Sequence, residues 1–487
     1  MKKLIVSLLF AALSVAAFSK VELPSVISDN MVLQQNAEVA LWGTSSPGRI
    51  VKISPSWSTS SVKVKADGHT GKWAVSIPTV SAGGPYEIVF DDGEQVTLKN
   101  VLLGEVWFCG GQSNMDMPMK GYDAQPVADS FIDIVNAKKT TPIRICKIEK
   151  SKSLTPLDKS VGSWQENLPD VVAKTSATAY FFAQTLQNAI DVPVGIIVVC
   201  WGGTTIETWM KRDVIEEKFP EFDLGYLDGK FAVPDPKYPH SPALLWNGMV
   251  NPIVPYTFKG MIWYQGCSNR SVSRYKQYTD LQVAYVEMMR NEFKNPDAPF
   301  YFVQLAPYLE PAKEKRGVNT FLGGYFSEAQ QKTLALIPNS GMAVTCDVGE
   351  YGTIHPAHKR EVGQRLAFLA LKHDYGFGFL QPDSPSYKSV EYIDGKAFVH
   401  MDVDGMGVNP MRQEISGFEL AGPDRVFHPA VGRVEYSDRK TVVVYSDEVP
   451  DPVAVRYCFR DWCKGNLYNT TGIPVQPFRT DDWELYE

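Results

Sequence analysis

The chain has 487 residues, which at roughly 150 residues per domain makes about three modules and excludes a small single-core fold. With 44% hydrophobic and 21% charged residues, and with 37 Gly and 33 Pro spread along its length, it has the composition of an ordinary globular protein rather than a disordered or collagen-like one. Its 48 basic and 55 acidic side chains leave a net charge of -7 with no basic block to neutralise phosphates, which argues against nucleic acid as a partner and for an uncharged small molecule or glycan.

Residues 1–19 open with Lys2 and Lys3, continue through an apolar stretch from Leu4 to Phe18, and offer Ala17-Phe18-Ser19 as a cleavage site, the pattern of a secretory signal peptide. The apolar run is shorter than the roughly 20 residues that span a bilayer, and no later stretch is both long enough and free of charge. No cysteine follows it to carry a lipid. The expectation is an exported protein, periplasmic or extracellular, with the signal peptide removed and no membrane span. Seven cysteines are too few for a disulfide framework and lack the paired spacing of a zinc site; Cys458 and Cys463 are close enough in sequence to pair.

From Val21 to about Leu98, short alternating runs such as Val62-Lys63-Val64-Lys65 and Tyr86-Glu87-Ile88-Val89-Phe90, separated by Gly, Asp and Pro turns, predict a β-sandwich module over residues 20–100. Over residues 101–377 dense apolar runs alternate with segments of helical spacing, which predicts an α/β domain. Its buried strands are expected at Val101 to Cys109, Gly195 to Cys200, Gly260 to Gln265, Phe300 to Leu305 and Gly341 to Cys346, and its helices at Thr175 to Asn188, Tyr278 to Phe293, Tyr325 to Ile337 and Pro356 to Leu371. Strict alternation with right-handed crossovers implies a mostly parallel sheet covered on both faces. Alternation returns over residues 378–487, in Ala397-Phe398-Val399-His400 and Thr441-Val442-Val443-Val444, and predicts a second β module.

Ligands of an open parallel sheet bind beyond the carboxyl ends of its strands. The loops there read Gly110-Gly111-Gln112-Ser113-Asn114-Met115, Trp201-Gly202-Gly203-Thr204, Gly266-Cys267-Ser268-Asn269 and, after the last strand, a stretch ending in Ile354-His355-Pro356. A lone serine in a turn most often serves capping. His355 changes the meaning of Ser113: it precedes Pro356 at the expected start of an amphipathic helix anchored by Val362, Leu366 and Leu369, and a neutral imidazole is the natural base for a serine hydroxyl. Asn269 and Gly202 or Gly203 stand where a carboxamide and a backbone N–H meet a developing oxyanion. Met115, two residues after the serine, replaces the glycine that a nucleophile elbow of the usual α/β-hydrolase kind needs.

With these residues assembled, the chain resembles the sialate O-acetylesterase family of SGNH hydrolases. The resemblance runs through Leu23-Pro24, Met31-Val32-Leu33-Gln34, Gly104-Glu105-Val106-Trp107, Gly111-Gln112-Ser113-Asn114-Met115, Trp201-Gly202-Gly203-Thr204 with Glu207 and Trp209, Trp263-Tyr264-Gln265-Gly266, and Ile354-His355-Pro356 with Lys359, Val362-Gly363 and Arg365-Leu366-Ala367. It continues through Gly417-Phe418, Val455-Arg456-Tyr457, Asn466-Leu467-Tyr468-Asn469 and Pro477-Phe478-Arg479. It implies a flavodoxin-like catalytic domain between β modules and a serine esterase that removes acetyl groups from sugar hydroxyls, acetylated sialic acids first and plant polysaccharide such as xylan as the alternative. Ser113 would be the nucleophile and His355 the base, with an oxyanion hole of Ser113 N–H, a Gly203 or Gly202 N–H and Asn269. Gln112 and Gln265 are expected to contact substrate. SGNH enzymes often carry an acid three residues before the histidine, where this chain has Gly352; Asp347, Glu350 or a backbone carbonyl is left to orient the imidazole, and Asp347 is the carboxylate assigned. Cys267 stands where the family usually has Glu, and reads as a partly buried filler rather than a nucleophile.

The expected reaction is a two-step acyl transfer that requires neither metal nor organic cofactor; His355 and His358 are separated by Pro356 and lack an acidic or Cys partner for a metal. A glycosidase would need two facing carboxylates, which no sheet-edge loop supplies. A glycan-binding protein without catalysis is the rival from another class, supported by Trp201, Trp209 and Trp263 near the expected cleft, where core packing is the plainer role.

Overall fold

The computed structural model describes residues 20–234 and 240–485, so the expected signal peptide lies outside the described residues. Seven strands cross the central sheet in the order Ser340–Ala343, Phe300–Val303, Gly260–Tyr264, Gln95–Gly111, Val194–Cys200, Ile143–Lys147, Trp164–Glu166. Neighbours run parallel except for the last pair. All seven residues of Val194–Cys200 and all five of Gly260–Tyr264 are buried, the continuous apolar run of strands covered on both faces.

The chain leaves the central strand on one side and later crosses to the other, and ligands of such sheets bind where the winding reverses. Register puts Cys200 and Tyr264 both opposite Gly111, so three loops leave the sheet at one level, at this reversal. The helices Ala177–Ile190 and Lys359–Asp374 pack together on the sheet. The first is capped by Ser176, whose hydroxyl accepts the Ala179 N–H at 3.1 Å. Their approach needs Gly363: a Cβ there would lie 2.7 Å from both Phe181 Cβ and the Thr178 carbonyl oxygen.

The expected module boundary at residue 100 falls inside a strand. Gln95–Gly111 is one strand of 17 residues whose first part pairs antiparallel with Gly83–Asp91, whose middle pairs parallel with Val32–Gln34, and whose end is the centre of the seven-stranded sheet. Its burial changes from alternating to continuous at Val101, so the texture of the sequence marks a change in what covers the strand and not a gap in it. The last helix starts at Lys359 rather than Pro356, because residues 355–358 are held outside it: the Ala357 N–H donates to Glu350 Oε1 at 2.5 Å, and the Lys359 N–H to the Ala357 carbonyl at 2.8 Å. The helix expected from Tyr325 runs over Leu322–Lys332 and continues as a tighter turn, Thr333–Ala335.

The C-terminal module is a seven-stranded antiparallel sheet in the order Ser386–Ile393, Lys396–Asp402, Thr441–Tyr445, Phe427–Val434, Ile415–Ala421, Ala454–Tyr457, Phe478–Arg479. The two stretches read from the sequence are direct neighbours, with Ala397 opposite Val444 and His400 opposite Thr441. Tyr387 on the first strand stacks on Phe478 of the last with ring centroids 5.2 Å apart, so the two edges of the sheet meet. Among the described residues no helix is long and apolar enough to cross a membrane. All seven cysteines are free thiols, with the sulfurs of Cys458 and Cys463 3.7 Å apart.

Candidate active site

Ser113 opens the one-turn helix Ser113–Asp116 at the end of the central strand. Gly111 makes the turn at φ 145°, and a Cβ there would sit 2.2 Å from the Tyr264 carbonyl oxygen, so only glycine lets the two strand ends approach. His355, 242 residues further along the chain, places Nε2 2.8 Å from Ser113 Oγ. Its Nδ1 lies 2.7 Å from Gln125 Oε1. An amide oxygen can only accept, so Nδ1 carries the proton and Nε2 is left bare toward the serine hydroxyl. Burial, and after it the charge of Lys359, lowers the imidazole from its ordinary value to about 4, so it is neutral at pH 7. Tyr122 closes over the pair: its ring meets His355 edge-on with centroids 5.4 Å apart, and its hydroxyl donates to the Ser113 carbonyl at 3.1 Å.

The loops that leave the sheet beside Ser113 bring donors with no internal use. Among the described residues, the N–H groups of Ser113, Gly202 and Gly203 meet no protein acceptor. Gly202 packs against the serine, since a Cβ there would lie 3.1 Å from Ser113 Cβ, while Gly203 turns at φ 74° with open space around it. Asn269 is buried, with Oδ1 accepting from the Ile206 N–H at 3.0 Å and from Gln265 Nε2 at 2.8 Å, and Nδ2 donating to Glu207 Oε2 at 3.0 Å. Its amide therefore has a fixed orientation, with a second N–H left over on Nδ2. Arg274 NH1, at 3.0 Å from Glu207 Oε1, balances the buried carboxylate.

Two of the expected roles, those of Asp347 and Gln265, are corrected. Asp347 is not beside the histidine: its two oxygens take a bidentate pair from Arg365 at 2.8 and 2.6 Å, and an uncharged amide, Gln125, stands at Nδ1 instead. Glu350 and a backbone carbonyl, the other acceptors left open, are not at Nδ1 either; Glu350 is spent on the Ala357 N–H. Gln265 is fully buried, with Nε2 donating to the Thr204 carbonyl and Asn269 Oδ1 while Oε1 accepts from the Tyr278 hydroxyl, so it has no group left for substrate and serves to hold Asn269. Gln112 is buried too, its Oε1 accepting the Gly266 N–H at 2.8 Å and tying the first loop to the third. Of the tryptophans near the cleft, Trp209 and Trp263 are buried and meet edge-on at 6.2 Å, as core residues do, while Trp201 is half-buried. Burial raises the Cys267 thiol above its ordinary value, the setting of a packing residue rather than of a nucleophile.

A hydroxyl backed by a bare neutral imidazole, beside free backbone N–H groups and an oriented carboxamide, can carry acyl transfer. The comparisons agree on the class. Residues 103–372 match the family model described as carbohydrate esterase, sialic acid-specific acetylesterase. The sialate O-acetylesterase of Mus musculus is 25% identical over 97% of this chain and 97% of its own, and that of Homo sapiens 26% identical over 77% and 75%. The crystal structure of a carbohydrate acetylesterase from Xanthomonas citri superposes with a TM-score of 0.83 at 34% identity, covering 95% of this chain and 100% of that one. The protein is a carboxylic ester hydrolase. It belongs to the carbohydrate esterase family of sialic acid-specific acetylesterases.

Proposed function

We propose that this chain is an exported serine esterase that hydrolyses O-acetyl groups of sugars, O-acetylated sialic acids foremost, by way of an acyl-enzyme on Ser113. His355 Nε2 takes the proton from Ser113 Oγ as the oxygen attacks the acetyl carbonyl carbon. The tetrahedral oxyanion accepts from the N–H groups of Ser113 and Gly203 and from Asn269 Nδ2. The sugar hydroxyl departs with the proton from His355. Water, deprotonated by the same imidazole, then attacks the acetyl-serine, releasing acetate and restoring the hydroxyl. Gln125, rather than a carboxylate, keeps the imidazole in the tautomer that this sequence needs.

What carries the proposal is the 2.8 Å approach of His355 Nε2 to Ser113 Oγ beside N–H groups that have no other acceptor. The test is acetate release from an O-acetylated sialic acid. Ser113→Ala is expected to lower kcat by at least about three orders of magnitude, and full activity in that variant would remove the serine from the mechanism. An acetylated polysaccharide such as xylan is the second substrate reading, because the Xanthomonas citri enzyme, 34% identical, is described as a carbohydrate acetylesterase without restriction to sialic acid. A panel of acetylated sugars ranked by kcat/KM separates the two. Export is tested by comparing the mass of the mature protein with that of a chain beginning near Lys20.

A further inference from the structure

The core beside the imidazole contains a lysine that the mechanism above does not use. Lys359 is fully buried, and its Nζ donates to Asn114 Oδ1 at 2.7 Å and to the Pro356 carbonyl at 2.8 Å. The same Asn114 donates through Nδ2 to the Ile354 carbonyl at 3.0 Å. Ile354 and Pro356 are the two neighbours of His355, and Asn114 is the residue after Ser113. One amide and one ammonium thus bracket the histidine, gripping the carbonyl before it and the carbonyl after it, and both are anchored to the loop that carries the serine.

We propose, on the footing that Ser113 and His355 are the reacting pair, that Lys359 is a positioning residue: with Asn114 it clasps the two loops across the imidazole, and it supplies the positive charge that faces the ring. A buried ammonium ordinarily sits on a carboxylate, yet among the described residues none lies within ion-pair distance of Lys359. Its other neighbours leave the charge standing. The ring of Tyr264 lies 5.8 Å away, and burial holds both that phenol and the Cys267 thiol in their neutral forms. Glu350 acts on it only through space, its Oε1 being occupied by the Ala357 N–H. The groups that face His355 from its other sides, Ser113, Gln125 and Tyr122, are uncharged, and the charge of Lys359 adds to burial in lowering the imidazole. Burial in turn lowers Lys359 to about 7, and at the acidic pH where His355 titrates it is fully charged.

The experiment is the pH profile of kcat/KM for the wild-type chain, Lys359→Met and Asn114→Asp. Lys359→Met keeps the stem and removes the charge and the donors; Asn114→Asp sets a carboxylate against Lys359 and cancels its field on the ring. Each is expected to lower the plateau about tenfold or more and to move the acidic limb upward by about one pH unit. A lower plateau with an unmoved limb in both variants overturns the proposal, because a merely structural role changes the first and not the second. If one variant does not fold the other decides; if neither folds, the clasp is a determinant of folding and the proposal is wrong. Ser113→Ala separates this from the reading it rests on: an active Ala variant sinks the serine mechanism, whereas an inactive one, together with unmoved limbs in Lys359→Met and Asn114→Asp, sinks only the role of Lys359.

Discussion

In the proposed mechanism the imidazole must be neutral and must present the correct nitrogen, and different neighbours supply the two conditions. Burial and Lys359 provide the first, the Gln125 amide oxygen the second. Because the proposed mechanism requires the unprotonated imidazole of the free enzyme, kcat/KM is expected to stay level from pH 7 down to about pH 5 and to fall as the pH drops through about 4 rather than through the ordinary histidine range near 6.5. Gln125→Ala removes the orienting acceptor and is expected to lower kcat on the order of 10- to 100-fold, part of the 10²–10⁴ that general-base catalysis supplies, with KM little changed. Gln125→Glu restores an acceptor but adds a negative charge, which favours imidazolium and should move the acidic limb upward. At this scale the sequence was informative where residue type and position coincide. Ser113 and His355 sit on sheet-edge loops and carry the right groups. Gln125 does not advertise itself, since an amide in a turn is chemically unremarkable and only the fold brings it to Nδ1. Asp347 misleads for the complementary reason: it is an acid close to the histidine in sequence, but Arg365 on the following helix takes both its oxygens.

Among the elements, the contact between Ala177–Ile190 and Lys359–Asp374 fixes where the histidine loop ends, since the second helix begins four residues after His355. Gly363→Ala would drive a methyl group to 2.7 Å from the Thr178 carbonyl oxygen and 2.8 Å from the Phe182 nitrogen, atoms of a helix backbone that cannot step aside singly. Overpacking of this kind costs about 1–3 kcal/mol, to be read as a lower urea midpoint at constant m-value. Five of the seven central strands and the long helices were legible because each is a sustained apolar pattern, whereas the short strands Ile143–Lys147 and Trp164–Glu166 were not read. The ends of the elements were less legible. Pro356 resembles a first helical residue, and what overrules it is the non-local bond from Glu350 to the Ala357 N–H. The first strand of the α/β domain was read as starting at Val101 rather than Gln95 because alternation and continuous burial look like two elements when they are two halves of one strand.

Across the whole molecule, the C-terminal module reaches the flank of the site through residues 458–463. Asp461 is buried and accepts from Lys313 Nζ at 2.9 Å, from the Thr320 hydroxyl and N–H at 2.5 and 3.1 Å, and from the Gly323 N–H at 3.0 Å, fixing the segment after Phe300–Val303. Trp462 meets Tyr351, four residues before the histidine, edge-on at 5.5 Å. Asp461→Ala would strand the largely buried Lys313 and is expected to cost about 3 kcal/mol or more, measurable by urea unfolding of the full chain. This bracing was invisible in the sequence, since each partner lies over 110 residues from the other and none carries a local signature.

The strand Gln95–Gly111 binds the other end of the molecule differently. One uninterrupted length of backbone serves two sheets, so the front portion has no seam at which it could be cut away or exchanged like a detachable cassette. Strain applied to the outer half is delivered along the same peptide units to the residue just before Gln112 and Ser113. The N-terminal module thus works as the root of the Ser113 loop, and trimming it would expose an unpaired ribbon directly continuous with the cleft.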